Sequence, residues 1–257
     1  MQHPLINIAI KAVRSASKII LHAIDRLDMI HVEEKSDNDF VTVINQQAEQ
    51  EIIRIIHESY PTHAIFGENK STNNYTWIVN PIDGMTNFIH GNPHFCISIG
   101  IQYKNRIEHG VIYDPLRHEL FIATNGSGAF LNERRIRIAQ QKQFPKAIVS
   151  SNLGNKDIKN TTNYLQILTS IIPRIACIRY GGSVALDFAY VACGRLDGMF
   201  GLNLTPWDMA AGILIIQEAG GTITDFNNNH SYLTTGEIIA GNISATKSIL
   251  QIIQNRF

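Results

Sequence analysis

The stretch from Trp77 to Phe88 constrains this chain more than any other: an apolar run, Trp77-Ile78-Val79, meets Asn80-Pro81 and then Asp83-Gly84. Proline cannot donate to a strand ladder and Asp-Gly favours a tight reversal, so a strand should end here in a sharp turn. Side chains two or three positions apart then converge on one point, with free N–H groups facing outward. Two shorter segments repeat the combination of acid and backbone-exposing turn. They are Phe66-Gly67-Glu68-Asn69 and Pro206-Trp207-Asp208-Met209-Ala210-Ala211-Gly212. In the second of these Asp208 opens a helix, where a carboxylate is stabilised and an anion is also favoured. Taken singly, Asp83 fits the start of a type I turn and Asp208 an N-cap.

The flanking patterns place these segments. Leu5, Ile8, Ala9, Ala12, Ala16, Ile19 and Ile20 share one face of an amphipathic N-terminal helix. A second helix is expected from Asn45 to Ser59, ended by Tyr60-Pro61. Apolar runs at Phe95 to Tyr103, Gly110 to Tyr113 and Leu120 to Thr124, with turns at Asp114-Pro115 and Asn125-Gly126, read as an antiparallel-rich sheet. Beyond Phe144-Pro145, short strands alternate with helices at Ser183 to Cys193 and Asp208 to Ala219, the latter closed by Gly220-Gly221. The expectation is an α+β N-terminal subdomain, 1–142, carrying the Glu68 and Asp83 loops, and an α/β C-terminal subdomain, 143–257, carrying Asp208, with a cleft between them.

Composition excludes some functions. Lysine plus arginine equals aspartate plus glutamate, 22 against 22, so no net basic field favours nucleic acid. The Arg134-Arg135-Ile136-Arg137 cluster reads as a solvated hairpin face and not as an RNA patch. Cys96, Cys177 and Cys193 lie in apolar runs without CxxC spacing and read as core residues. No apolar stretch is long enough to span a bilayer, and polar residues interrupt the N-terminal helix where a signal would be apolar. A soluble, cytoplasmic protein is the expectation. His90 and His94 read as loop or partner contacts, His57 and His63 as solvated, and Trp77 and Trp207 as packing anchors for the loops that follow them.

Together the three segments, with Glu218-Ala219-Gly220-Gly221, resemble the inositol monophosphatase family. The resemblance runs through Asp39-Phe40-Val41-Thr42, Tyr113-Asp114-Pro115 and Gly182-Ser183-Val184-Ala185-Leu186-Asp187. It implies a layered αβαβα sandwich, usually a homodimer, with Mg2+ ions in the cleft that clamp a phosphomonoester and activate water. On that resemblance Glu68, Asp83, Asp208 and the carbonyl of Ile82 match metal ligands, and Gly84 with Gly182-Ser183 matches the substrate side.

Four positions depart from the pattern. Asn80 stands where the family carries a metal-bridging aspartate, and Asn45 where it carries an aspartate that anchors the water around the metals. Met85 replaces a threonine that assists the attacking water, and Gly201 replaces a glutamate that holds the inositol hydroxyls. Asparagine is neutral and cannot bridge two cations as a carboxylate does, and one lost charge-assisted contact costs about 1.5–3 kcal/mol. The expectation is weak or single-ion Mg2+ binding and little turnover. The resemblance supplies a use for such a scaffold: a bacterial branch of the family acts in transcription antitermination and ribosomal RNA synthesis, binding NusA and the RNA polymerase antitermination complex. The alternatives are a slow Mg2+-dependent phosphatase of inositol 1-phosphate or a similar small monoester, and a metal-free binder of a phosphorylated metabolite.

Overall fold

The computed structural model describes residues 3–24, 32–36, 39–67, 74–140, 143–154 and 158–255, without the side chains of 32–36 and 39–42. In chain order the elements are α1 (Pro4–Ile24), β1 (Val32–Ser36), β2 (Asp39–Thr42), α2 (Val43–Ser59), β3 (Ala64–Ile65), β4 (Tyr75–Asp83), α3 (Met85–Ile89), β5 (Cys96–Tyr103), β6 (Arg106–Asp114), β7 (Glu119–Thr124), β8 (Gly128–Leu131) and β9 (Arg134–Arg135). They continue with β10 (Ile148–Leu153), α4 (Ile158–Ile171), β11 (Cys177–Arg179), α5 (Val184–Ala192), β12 (Gly198–Leu202), α6 (Pro206–Glu218), β13 (Thr222–Thr224), α7 (Tyr232–Thr235), β14 (Ile238–Gly241) and α8 (Ile243–Gln254).

Two sheets organise these elements. β3 to β9 form a seven-stranded sheet in sequence order, antiparallel except for the β3–β4 pair. The other has five strands in the order β11-β10-β12-β14-β13, with β10 parallel to both of its neighbours. α1 and α2 cover one face of the large sheet, α5 and α6 lie between the sheets, and α4 and α8 cover the far face of the small one. This is the expected αβαβα sandwich. The 142/143 boundary falls between the two sheets, yet α5 and α6, encoded after it, share a core with Ile78, Cys96, Ile112 and Phe121 from before it.

The middle layer fixes the height of the site. α6 has little amphipathic contrast because both of its faces are buried: Met209 through Ile216 are all inaccessible. It lies unusually close to the large sheet. A Cβ on Gly100 of β5 would come within 2.7 Å of Ala210 Cβ, and one on Gly110 of β6 within 2.7 Å of the Ala211 carbonyl oxygen. Gly212 meets Phe188 of α5 in the same way, at 2.3 Å from the ring. The small residues after Asp208 are therefore packing devices that let α6 press flat on a glycine floor. At the far end of α6, the Glu218 carboxylate accepts N–H bonds from Gly126 at 2.7 Å and Gly128 at 2.6 Å, clamping the β7–β8 turn.

Three helices, α3, α4 and the one-turn α7, lie where the sequence pattern marks none. α3 is a single turn of helix where only a loop was expected. α4 is rich in Asn and Thr, weak helix formers, and owes its place to Tyr164, Ile167 and Ile171 packed on the small sheet. Gly110→Ala should lower stability by about 1–3 kcal/mol, because the added methyl meets helix backbone that cannot rotate away. Urea denaturation would measure it, and an unchanged midpoint would refute the close-packing account.

Candidate functional site

β4 does not stop at Pro81 but carries a bulge there. Asn80 pairs with Ser98 and Asp83 with Cys96, so three steps on β4 match two on β5. In a regular strand, residues 80 and 83 point to opposite faces; the extra residue turns both to the same side. Ile82 sits inside the bulge, its side chain buried in the core beneath α1 and α2. Gly84 then adopts φ +94°, and a Cβ there would lie 2.9 Å from the His94 carbonyl oxygen, so glycine is required at this turn.

The site couples both halves of the chain. Asp83 Oδ2 accepts from Ser183 Oγ and from the Ala185 N–H at 2.9 Å, at the start of α5. Asp208 is the third residue of α6 and closes a capping box: its Oδ2 accepts from the Thr205 N–H at 2.9 Å and from Thr205 Oγ1 at 2.6 Å. Between the two carboxylates stands Asn80. Its Nδ2 donates to Asp83 Oδ1 at 3.2 Å and to Asp208 Oδ1 at 3.3 Å. Two carboxylate neighbours require the NH2 side of the amide to face them, which fixes its orientation.

Burial sets the electrostatics. Desolvation pushes Asp83 up to about 7, the nearby Asp208 charge adds to this, and the Ser183 and Ala185 hydrogen bonds oppose it. Asp208 is also raised by burial, against its bonds to Thr205. Behind them Asp187, buried and bonded to Ser150 and Asn152, rises to about 6. Among the described residues, no salt bridge reaches Asp83 or Asp208.

The remaining expected residues fall as follows. Met85 opens α3 and packs against the apolar cluster of α1 and α2, so a thioether joins the core where the family pattern has a hydroxyl. Asn45 is half-buried in the first turn of α2. Gly182, at φ +78°, and Ser183, the N-cap of α5, form the turn beside Asp83. Gly201 is buried within β12, and a Cβ there would come 2.5 Å from Leu204 Cδ1, so Leu204 occupies the direction a longer side chain would take. Glu68 lies outside the described residues.

Two expectations are corrected. Trp77 is fully buried, but Trp207 is 42% exposed and, among the described residues, its one ring contact is the edge of Phe66, because the second residue of α6 faces out. His63 is only partly solvated. It stacks between Tyr60 and Tyr75, and its Nδ1 accepts from Trp77 Nε1 at 3.0 Å, so burial lowers its pKa. Cys96 is the buried core residue expected, and its sulfur lies 3.7 Å from Ser183 Oγ, a place beside the site that its apolar surroundings in sequence did not signal. Sequence reasoning missed the Asp114 cap: that carboxylate accepts from the Leu116 and Arg117 N–H groups, and Arg117 holds the Pro93 carbonyl. The Tyr-Asp-Pro pattern was the available signal.

Residues 1–256 match the inositol monophosphatase family. The chain belongs to that family. Members are generally Mg2+-dependent hydrolases. It is 45% identical to the Nus factor SuhB of Pseudomonas aeruginosa, with 98% of this chain and 96% of that protein covered. It is 42% identical to the Nus factor SuhB of Escherichia coli K12, covering 96% and 95%. Among solved structures, the extragenic suppressor protein suhB of Bartonella henselae superposes with TM-score 0.94 at 32% identity, covering 99% of this chain and all (100%) of that one. The Thermotoga maritima IMPase gives TM-score 0.88 at 29% identity, with 98% of each chain covered. Among the described residues, no helix is long and apolar enough to cross a membrane, and no three His, Cys, Asp or Glu side chains gather as a metal cluster.

The raised Asp83 makes a pH prediction. In the folded chain it holds its proton to about pH 7, against an ordinary value of 3.8. The folded state then binds more protons than the unfolded one across that window, and its contribution to stability falls as pH rises through it. Urea midpoints followed from pH 4.5 to 8 should show this decline, and Asp83→Asn should flatten it. An identical slope in the variant would refute the assignment.

Proposed function

We propose that this chain acts as a Nus factor in transcription antitermination and ribosomal RNA synthesis, through contacts with NusA and the RNA polymerase antitermination complex, on a phosphatase scaffold whose metal site is depleted. The observation that carries the reading is Asn80. A neutral amide donates to both carboxylates from the position where the family pattern has a bridging aspartate. The whole-length similarity to proteins named Nus factor SuhB supports the same conclusion. A homodimer in solution belongs to this proposal, and light scattering checks it.

A second reading is favoured by the survival of Asp83 and Asp208 side by side, with the Gly182-Ser183 turn kept against them. The donor set suits one weakly held Mg2+ ion: Asp83, Asp208, the carbonyl of Ile82, the Asn80 amide oxygen after rotation, and Glu68. It lacks the bridging charge for a second ion. The ion would polarise a phosphoryl oxygen and lower the pKa of bound water. This chain's own part would be to seat a small monoester such as inositol 1-phosphate against the Gly84 and Gly182-Ser183 turns. Slow hydrolysis is the outcome that reading supports.

Affinity capture with purified NusA tests the first reading: a complex at micromolar concentrations, unchanged by EDTA, is the expected result, and no complex would sink it. Phosphate release from inositol 1-phosphate at saturating Mg2+ tests the second, beside a variant carrying Asn45→Asp, Asn80→Asp and Met85→Thr. Restoration should raise turnover by about tenfold or more. Efficient turnover by the natural chain, unimproved by these changes, would overturn the depleted-site account.

A further inference from the structure

The cleft is built by two turns from different halves of the chain, residues 84–94 after β4 and residues 181–183 before α5. The backbone hydrogen bonds of the first turn that hold it together close within it: Phe88 N–H to the Gly84 carbonyl, Gly91 N–H to Phe88, and Asn92 N–H to Asn87. Among the described residues, two side chains reach from this turn to the other: the His94 ring packs against Gly181, its Nε2 2.7 Å from where a Cβ would stand, and Asn87 makes the hydrogen bonds. Its Nδ2 donates to the Gly181 carbonyl at 2.8 Å and to the His94 carbonyl at 2.7 Å. Its Oδ1 accepts from Asn92 Nδ2 at 2.8 Å. All three contacts agree on one orientation, because a flipped amide would set its oxygen against two carbonyl oxygens. The approach is close: a Cβ on Gly182 would lie 2.9 Å from Asn87 Nδ2, and Gly182 holds φ +78°.

This contact bears directly on the site. Ser183 follows Gly182, and its hydroxyl, with the Ala185 N–H, supplies the hydrogen bonds that the described residues give to Asp83 Oδ2 from α5. We propose that Asn87 is the positioning residue of the cleft, holding the 181–183 turn against the Asp83 turn so that the start of α5 is registered on Asp83 without help from a divalent ion. Asn80 makes the matching tie from Asp83 to α6. Two amides thus join the first half of the chain to α6 and to the turn that opens α5. The inference deepens the depleted-site reading above: it explains how the cleft keeps its shape where the charges that would recruit Mg2+ are reduced.

Hydrogen–deuterium exchange on the full chain, without substrate or partner, tests the proposal. Ala185 and Leu186 are the reporting amides, since they donate to Asp83 and to Ser183. Ile99 and Val111, in the buried middle of the large sheet, are the reference amides. Asn87→Ala and Asn87→Asp should each speed exchange at 185–186 by about tenfold, as expected for one or two lost hydrogen bonds, and leave 99 and 111 unchanged. Asn87→Asp keeps the size of the side chain and the acceptor for Asn92 but sets a carboxylate oxygen against the Gly181 and His94 carbonyls, so it breaks both donor contacts without opening a cavity and stands in if Asn87→Ala fails to fold. Asn92→Ala, which only loosens the amide's orientation, should give a smaller local rise. Unchanged exchange at 185–186 would overturn the proposal, as would an equal rise at the reference amides, which marks general destabilisation. Slowing of 185–186 in the natural chain by millimolar Mg2+ would also overturn it. Loss of NusA capture with this exchange pattern intact would count against the partner reading alone.

Discussion

The contact between α6 and the glycine floor of β5 and β6 governs the rest of the molecule. Asp208 can share a hydrogen-bond donor with Asp83 only because the helix that carries it lies against the sheet without intervening side chains. Gly100, Gly110, Ala210 and Ala211 set that separation, and the bulge at Pro81-Ile82 supplies the other coordinate by turning Asn80 and Asp83 to one side. Packing and register thus bring the chemistry-bearing residues together, and the Asn80 and Asn87 amides then tie them across the cleft. This is why the architecture persists with four of the usual polar positions altered.

Within that frame Asn80 changes the electrostatic problem. Two buried carboxylates side by side repel each other, and a protein relieves this with a cation, a proton or a donor. A metal-loaded site uses the cation. Here the amide supplies a donor to both, and the raised pKa of Asp83 supplies a proton near neutrality. Neither needs a divalent ion, and both compete with one, since the same oxygens would have to turn to the metal. The loss of Met85 to the core and the filling of the space at Gly201 by Leu204 point the same way, toward apolar packing in place of substrate contact.

Much of this was legible in the sequence and some was not. The motif around Asp83-Gly84 and the Trp207-Asp208 segment marked the site because acids beside turn-forming residues are short-range signals. The positions of α5 and α6 followed from periodicity and glycine caps, while the layered fold was what the family resemblance implied. The bulge was not legible: proline suggested that β4 ends, whereas strand register depends on β5, a partner that local pattern does not report. Trp207 and His63 were misjudged for a related reason, since exposure is decided by what packs on a residue from elsewhere in the chain. Asn87 stands inside the Trp77-to-Phe88 motif, but its role there carried no signal, because local sequence does not show whether an asparagine faces water or spans two halves of a cleft.

The clamp at Glu218 has a mechanical meaning. Asp208 stands at the front of α6 and Glu218 at its last residue, ten residues and about 15 Å apart along one rigid rod. The front end is tied into the cleft, and the back end grips the backbone of the exposed 126–128 turn. A helix sealed on both sides cannot bend to absorb a displacement, so it transmits one as a piston does. Asp208 in the cleft and the backbone of the 126–128 hairpin are therefore fixed to opposite ends of one strut, which spans the large sheet.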